Sequence, residues 1–291
     1  MGIIATTLEQ QIKTLESRGM VFDMGTDKVK EVLLDIGYYR LGFYWHPFEI
    51  DSNHNLATGT KFSDVVELYY LDSDLRHLLT KYLNRIEINF RTKMVYYVSN
   101  KYKQAPTWFI DPKVVNQDFI RNIDRYYSEE FKKSNKPINL HHQKYINHKY
   151  APAWKTLEFF SFGIILKIYK NLIESDIQER ISKAYNVNTV SKFQNLMDTL
   201  VLLRNTCAHC GVLYDLKKPT GIASIPGLNL NLPDRSSLDS CIRVMLYILG
   251  SISENRKQEL IEDLDKIYEK RKKNDVMVNI VENEIKYVYK N

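Results

Sequence analysis

The sequence predicts an all-α protein, and three observations carry that prediction. Apolar residues recur at three- and four-residue intervals along almost all of the 291 residues, which is the spacing of one face of a helix. No sustained run alternates apolar and polar residues as a half-buried strand would. Helix-ending residues such as Gly19, Pro106 and Gly211 separate the periodic segments, as they do between helices.

The individual helices follow from this periodicity and from its breaks. A long helix is expected from Ser63–Asp64 to about Pro106, because its apolar positions form one broad inward face. We expect shorter helices at 7–18, 27–36, 112–131 and 153–173, and a further helix capped by Asn188 or Thr189. A packed aromatic corner is expected at 37–48 and an irregular stretch after Gly211. Two or three helices are expected from residue 236 onward. The domain boundary is expected near residue 60, with a helical cap over residues 1–60 packed on a main helical domain over residues 61–291.

Composition and charge exclude several classes of protein. With 44% hydrophobic and 26% charged residues, the chain is neither disordered nor of low complexity. The net charge of +6 mildly favours anionic partners. The odd cysteine count (Cys207, Cys210, Cys241) favours the reducing cytoplasm. No apolar stretch approaches the ~20 residues of a membrane-spanning helix, so no membrane partner is expected.

The residues with the clearest chemical potential are Arg204, Asn205 and His209, near the expected end of a buried helix. Their arc on the helix is separate from the one that carries Leu203 and Cys207. An Arg and a His with no carboxylate in the same helical turns suit phosphoryl transfer on RNA, because the ribose 2′-OH is itself the nucleophile. His209 would exchange the proton and Arg204 would stabilise the charge on the phosphorane. The alternative is a solvated helix end in which both cations cap free carbonyls.

Five short patterns in order give the chain a family resemblance. They are Ile36-Gly37-Tyr38-Tyr39-Arg40-Leu41 followed by Tyr44, Leu68-Tyr69-x-x-Asp72-x-x-Leu75-Arg76, Ile86-Glu87 with Arg91, Pro152-Ala153-Trp154 with Phe162-Gly163, and Arg204-Asn205-x-x-Ala208-His209. The last matches the Arg-x4-His motif of HEPN-superfamily ribonucleases. Together they resemble the Abi-like (AbiD/AbiF) abortive-infection family of that superfamily.

The match departs from the family pattern just after His209. There the family usually has a second His, then a basic residue, then an aromatic residue and Asn. This chain has Cys210, Val212, Tyr214 and Asp215, so only the aromatic residue is kept.

The resemblance implies an all-α HEPN-like bundle that forms a homodimer, with two Arg204/His209 sets in one composite cleft. It implies a metal-independent endoribonuclease without cofactor that leaves a 2′,3′-cyclic phosphate and a 5′-OH, acting in phage defence or as a toxin. Some relatives are found with a small non-coding RNA. Asn205 would position Arg204 or a phosphate, and Glu87 and Arg91 would line the cleft. The alternative for that last pair is an exposed ion pair of little consequence.

A basic segment points to RNA independently of the family. No acidic residue lies between Glu130 and Glu158, a span rich in Lys and His with interleaved aromatic rings. The candidate RNA-binding residues there are Lys144, Tyr145, Lys149, Tyr150 and Lys155, since cations contact phosphates and rings stack on bases. The alternative is a solvated basic loop.

Metal and other hydrolytic sites have little support in the sequence. Cys207-x2-Cys210 lacks a second ligand pair at zinc spacing. The histidines His141, His142 and His148 have no nearby Cys or carboxylate. Neither a glycine-rich phosphate loop, a Gly-x-Ser-x-Gly elbow nor a His-Glu-x-x-His pattern is present.

The sequence therefore leaves three functions open. The leading one is the ribonuclease. The second is a non-catalytic RNA-binding protein that holds a small non-coding RNA on the same basic surface, and the third is a purely structural interaction module. Loss of His209 would abolish only the first of these, whereas loss of Lys144 and Lys149 would weaken the second.

Overall fold

A computed structural model describes residues 4–230 and 234–288, and within them the chain folds into α-helices and short helical turns. The predicted all-α class is confirmed, since the described residues form only three isolated β-bridges and no strand. The α-helices are α1 (Leu8–Ser17), α2 (Thr26–Asp35), α3 (Tyr38–Trp45), α4 (Phe62–Lys101), α5 (Gln117–Ile120), α6 (Glu129–Ser134), α7 (Lys136–Lys144), α8 (Ala153–Thr156), α9 (Phe162–Lys170), α10 (Ser175–Lys183), α11 (Val190–Ala208), α12 (Leu238–Ile252), α13 (Glu254–Glu269) and α14 (Asp275–Ile280). A π-helical turn, Val281–Ile285, follows α14.

Helix α4 is the centre of the molecule. Its 40 residues span about 60 Å at 1.5 Å per residue, and helices α3, α9, α10, α11, α12, α13 and α14 pack against it. It begins one residue before the predicted Ser63, because its first turn is capped from outside. The Asp23 carboxylate accepts the backbone N–H of Ser63 at 3.1 Å and the Ser63 hydroxyl at 2.5 Å. A cap that lies 40 residues away cannot be recognised from local sequence.

The predicted helix over residues 112–131 is wrong. The segment forms the single turn α5, a 3-10 turn at Ile123–Arg125, and the start of α6. Side chains compete with the helical pattern here: Asp111 accepts the N–H of Lys113 at 2.8 Å, and Asn116 accepts that of Asp118 at 3.0 Å. Such local bonds favour turns over a continuous helix.

The predicted helix over residues 153–173 is interrupted. It consists of α8, a 3-10 turn at Leu157–Phe159, and α9. Between them, Phe160 and Ser161 are extended, with ψ of 141° and 159°. Helices α7 and α10 were not predicted, and the aromatic corner contains the short helix α3.

The N-terminal helices share the core of the rest of the protein. Leu15, Val29 and Tyr44 are fully buried and belong to the same apolar cluster as the inward face of α4. A parallel bridge joins Val21 to Lys61. The division into a cap and a main domain at residue 60 stays a prediction, and residues 1–3 and 289–291 at its outer bounds lie outside the described residues.

Within residues 4–230 and 234–288, none of the helices combines the length and the apolar character needed to cross a membrane.

Candidate active site at the end of helix α11

Helix α11 ends in a motif that fixes the backbone on both sides of His209. His209 is the C-cap, and Cys210 follows in the left-handed conformation with φ of 52°. The N–H of Gly211 donates to the carbonyl of Thr206 at 2.7 Å, and that of Cys210 to Cys207 at 3.3 Å, which is the Schellman pattern. The sequence predicted that Gly211 breaks the helix. Glycine is needed at position 211 because the backbone there passes close to Thr206: a Cβ at Gly211 would lie 2.8 Å from Cγ2 of Thr206.

Arg204 lies one turn before that end and is held by two neighbours. Its Nε lies 3.3 Å from Oε2 of Glu87 on α4, and its Nη1 donates to Oδ1 of Asn205 at 3.3 Å. The side chain is 28% exposed. Its Nη2 has no hydrogen-bond acceptor among the described residues, so the N–H groups of Nη2 are available to a ligand.

Glu87 and Arg91 form a buried pair beneath Arg204. Arg91 Nη2 donates to Oε1 of Glu87 at 2.7 Å and to the carbonyl of Phe160 at 3.1 Å. The two residues are only 7% and 9% exposed, so the alternative of an exposed ion pair is wrong. The Glu87 carboxylate thus accepts from the Arg91 guanidinium and lies beside the Arg204 guanidinium. The second contact orients Arg204 at the surface.

The His209 side chain is exposed just beyond the helix. Within the described part of the chain its imidazole has no hydrogen bond or ion pair. The two ring nitrogens are therefore free to contact a substrate. Arg204, Asn205, Glu87 and Arg91 are in mutual contact, while His209 belongs to the same helix end without a direct bond to them.

The segment after His209 is anchored by residues whose role the sequence did not reveal. Asp72 on α4 is completely buried, and it accepts the backbone N–H groups of Leu213 and Tyr214, each at 2.8 Å. It also accepts from Arg76 at 3.0 Å and from the Tyr44 hydroxyl at 3.1 Å. Tyr44, Asp72 and Arg76 all lie in the family patterns, and a charged i,i+4 pair within the apolar face of α4 was the available signal.

Burial governs the titration of this anchor. Loss of hydration raises the pKa of Asp72 to about 6, against the lowering effect of the N–H of Leu213 and of the Arg76 guanidinium. Burial also raises the pKa of the Tyr44 phenol above its usual range. Arg76 Nη1 additionally donates to the carbonyl of Gly211 at 3.1 Å. The chain just after His209 is therefore hydrogen-bonded to α4 both through backbone N–H groups and through a backbone carbonyl.

The basic segment folds as α7, a loop and α8, and part of it is an exposed stacking surface. The Tyr145 ring stacks on His148 at 5.0 Å with 9° between the planes, and Nζ of Lys144 lies 5.3 Å from the Tyr145 centroid. Tyr145 and Trp154 are 41% and 52% exposed. Lys155 is half-buried. We call Lys144, Tyr145 and His148 the stacking surface.

Two of the candidate RNA-binding residues are engaged elsewhere. Asp124 accepts the Tyr150 hydroxyl at 2.7 Å and lies 3.3 Å from Nζ of Lys149. This carboxylate precedes the span without acidic residues, so the sequence gave no sign of the contact. Lys149 and Tyr150 are consequently less available to a ligand than Lys144 and Tyr145.

The cysteines and histidines form no metal cluster in the described residues. Within residues 4–230 and 234–288, no group of three or more His, Cys, Asp or Glu side chains could hold a metal ion. Cys207 is buried and Cys210 exposed, and burial raises the pKa of the Cys207 thiol to about 12. His141 is buried with its Nε2 3.3 Å from Nδ1 of His148.

These features define a helical protein with a cationic site at the end of a buried helix. Residues 31–215 match the sequence profile of the Abi-like proteins. The chain belongs to the Abi-like protein family, and placement in the HEPN superfamily is consistent with that membership. The family suggests a role in abortive infection, a form of phage defence. Neither a curated protein nor a solved structure matches the chain.

Proposed function

We propose that the protein is a metal-independent endoribonuclease of phage defence, with Arg204 and His209 as its catalytic residues. The observation that carries the proposal is the pairing of Arg204 with Glu87 at 3.3 Å. That contact holds the Arg204 guanidinium, which keeps free N–H groups, at the helix end that also carries His209. The His209 imidazole is exposed and has no hydrogen-bond partner among the described residues.

The reaction needs only groups that this site offers. The 2′-oxygen of the ribose attacks the adjacent phosphorus, the bond from phosphorus to the 5′-oxygen breaks, and a 2′,3′-cyclic phosphate forms. The proton of the 2′-OH goes to a base, and the leaving 5′-oxygen receives a proton to become a 5′-OH. His209 serves as base or acid, worth about 10²–10⁴-fold, and Arg204 stabilises the negative charge of the phosphorane.

A second copy of the chain completes the reaction. One imidazole cannot be both base and acid within a single concerted step, so a homodimer that brings two His209 side chains to one cleft supplies both. The Glu87 carboxylate is committed to Arg91 and Arg204, which leaves the imidazoles as the proton-transfer groups. Asn205 positions Arg204 through its bond at 3.3 Å.

Cleavage of labelled RNA in the presence of EDTA tests the proposal. Wild type is expected to give 2′,3′-cyclic phosphate ends, and Arg204→Ala and His209→Ala are expected to lose cleavage by at least about 10²-fold. His54→Ala is the control, because His54 is an exposed imidazole paired with Glu49. Unchanged cleavage in His209→Ala, or loss of cleavage with EDTA, would refute the proposal.

One observation favours the second function, a non-catalytic protein that carries a small non-coding RNA. The stacking surface is exposed and lies outside helix α11, so it would bind RNA whether or not His209 is catalytic. If RNA binds in a salt-sensitive manner and is never cut, this function replaces the first. The test is recovery of a discrete RNA with the purified wild type and its loss in Lys144→Gln/Tyr145→Ala.

A further inference from the structure

A cavity of about 310 Å³ lies beside the end of α11, where Cys207 and Cys210 line it. Its lining is cationic and hydroxylic: Arg40, Tyr69, Ser73, Arg76, His77, Thr80, Cys207 and Cys210. No carboxylate occurs among these residues. The volume is at the lower end of the range for small-molecule sites. The lining chemistry suits an anion.

Arg76 gives the cavity a preorganised donor. Arg76 is only 7% exposed. Its Nη1 donates hydrogen bonds to the Asp72 carboxylate, the Tyr44 hydroxyl and the carbonyl of Gly211. Its Nε and Nη2 have no acceptor among the described residues. A guanidinium fixed through Nη1, with the N–H groups of Nε and Nη2 remaining, is the arrangement that receives an oxyanion with little loss of entropy.

Arg40 supplies the uncompensated charge. The positive charge of Arg76 is largely balanced by Asp72 behind it. Arg40, in contrast, has no carboxylate partner in the described chain; it donates to the Tyr44 hydroxyl at 3.4 Å and lies 5.7 Å from that ring. His77 is exposed at the same cavity, with Nδ1 2.8 Å from the carbonyl of Ser73. The net charge of the lining is therefore positive.

The position of the cavity relates it to the proposed cleavage site. Cys210 lines the cavity, and His209 is the preceding residue. Cys207 also lines the cavity and lies three residues, less than one helical turn, after Arg204 on α11. An RNA strand with one phosphate at Arg204 can thus place another at the cavity.

We propose that this cavity binds a phosphate group of the RNA strand, near the phosphate that is cleaved. The identity of the strand as substrate rests on the proposed ribonuclease function. The affinity of the cavity for a phosphate group rests on its own lining, chiefly Arg40 and Arg76, and not on that function. Arg40 and Arg76 are positioning residues in this scheme, because they hold the strand and do not touch the reacting atoms.

The first measurement uses inorganic phosphate as the probe and does not depend on cleavage. Full-length protein is heated in increasing phosphate at constant ionic strength, and saturable stabilisation is expected for wild type. Arg40→Gln should weaken phosphate binding at least about tenfold, and His77→Gln should weaken it less. Arg256→Gln, the same change on an exposed arginine of α13 that does not line the cavity, should bind as wild type does. Equal binding in Arg40→Gln and wild type overturns the proposal.

The second measurement uses a fluorescent single-stranded oligoribonucleotide in the His209→Ala background, which prevents cleavage. Loss of one phosphate contact in Arg40→Gln should reduce the slope of log Kobs against log[salt] by about 0.7, with Arg256→Gln unchanged. Inorganic phosphate should compete with the strand in wild type. A slope unaffected by Arg40→Gln shows that any anion held here is a free one and overturns the assignment to RNA.

The two proposals fail separately. If phosphate binding depends on Arg40 but no RNA is cut, the cavity stands as an anion site and the ribonuclease is refuted. If RNA is cut in a His209-dependent manner while Arg40→Gln leaves phosphate binding and the salt slope unchanged, the ribonuclease stands and the cavity is refuted.

Discussion

The carboxylate of Asp72 accepts the backbone N–H of Leu213 at 2.8 Å, although the two residues are 141 positions apart. This bond ties the N-terminal third of α4 to the chain that follows His209. The orientation of the candidate active site thus depends on a buried acid that does not itself face the substrate.

The Asp72→Asn substitution should lower the free energy of unfolding by about 1–3 kcal/mol, the cost of leaving a buried N–H group without an acceptor. The two oxygens of Asp72 accept the N–H groups of Leu213 and Tyr214, and the N–H₂ group of an amide cannot accept either of them. Urea unfolding of both proteins at neutral pH measures the difference. A loss below about 1 kcal/mol would show that the bonds from Arg76 and Leu213 contribute little.

The pH dependence of this difference is also predicted. Burial raises the pKa of Asp72 from 3.8 to about 6 in the folded state, so between about pH 4 and pH 6 the folded protein binds a proton that the unfolded chain has lost. The stability of wild type contributed by this group therefore falls as the pH rises through that window and is constant above it. The gap between wild type and Asp72→Asn should shrink from pH 4 to pH 6. A gap that widens with rising pH would indicate a lowered pKa instead.

The Glu87→Gln substitution should destabilise the protein more than Arg204→Gln does. Glu87 neutralises Arg91, which is 9% exposed, and loss of a buried counter-ion costs about 3–5 kcal/mol. Arg204 is 28% exposed, so its loss should cost about 1 kcal/mol or less. Urea unfolding of the two variants gives the order. The reverse order would mean that Arg91 finds another partner when Glu87 is neutral.

The helices of ten or more residues could be predicted because their signals are local. Thr7 caps α1 with the reciprocal bonds of a capping box to Gln10, and α4 and α11 follow apolar periods that tertiary packing leaves unbroken. The break at Phe160 is different. Its carbonyl accepts from Arg91, 69 residues away, and no local pattern encodes that contact.

The candidate site was predictable as a set of residues and not as a geometry. Family patterns singled out Glu87, Arg91 and Arg204, but their burial and mutual contacts depend on how α11 packs against α4. Lys149 and Tyr150 contact Asp124, which lies in a 3-10 turn within the segment that the sequence predicts as helix. The anchor at Asp72 required the return of the chain after α11, which sequence spacing does not specify.

The Gly211→Ala substitution should destabilise the helix end that carries His209. Its Cβ would lie 2.8 Å from Cγ2 of Thr206 and 3.1 Å from the Thr206 carbonyl oxygen, and relief of such contacts costs about 1–3 kcal/mol. Gly163→Ala is the matched control within α9, since its Cβ meets only Val201 at 3.7 Å. That change should stabilise by up to about 1 kcal/mol. Thermal unfolding should therefore shift in opposite directions, and a shift in the same direction would contradict the close approach at Gly211.

Loss of the stacking surface should weaken RNA binding more than loss of its neighbours does. Stacking of one base on an aromatic ring is worth about 1–3 kcal/mol, so Tyr145→Ala should raise the Kd for a single-stranded oligoribonucleotide at least about fivefold. Tyr96→Ala removes a ring that is 61% exposed on α4 and should leave the Kd unchanged.

Lys144→Gln should weaken RNA binding more than Lys149→Gln, because Lys149 already faces Asp124. Conversely, Asp124→Asn should strengthen binding by freeing Lys149, as fluorescence anisotropy at fixed salt would measure. If Asp124→Asn has no effect while Lys149→Gln weakens binding as much as Lys144→Gln, the ion pair does not withhold Lys149 from RNA and the whole basic segment acts as one surface.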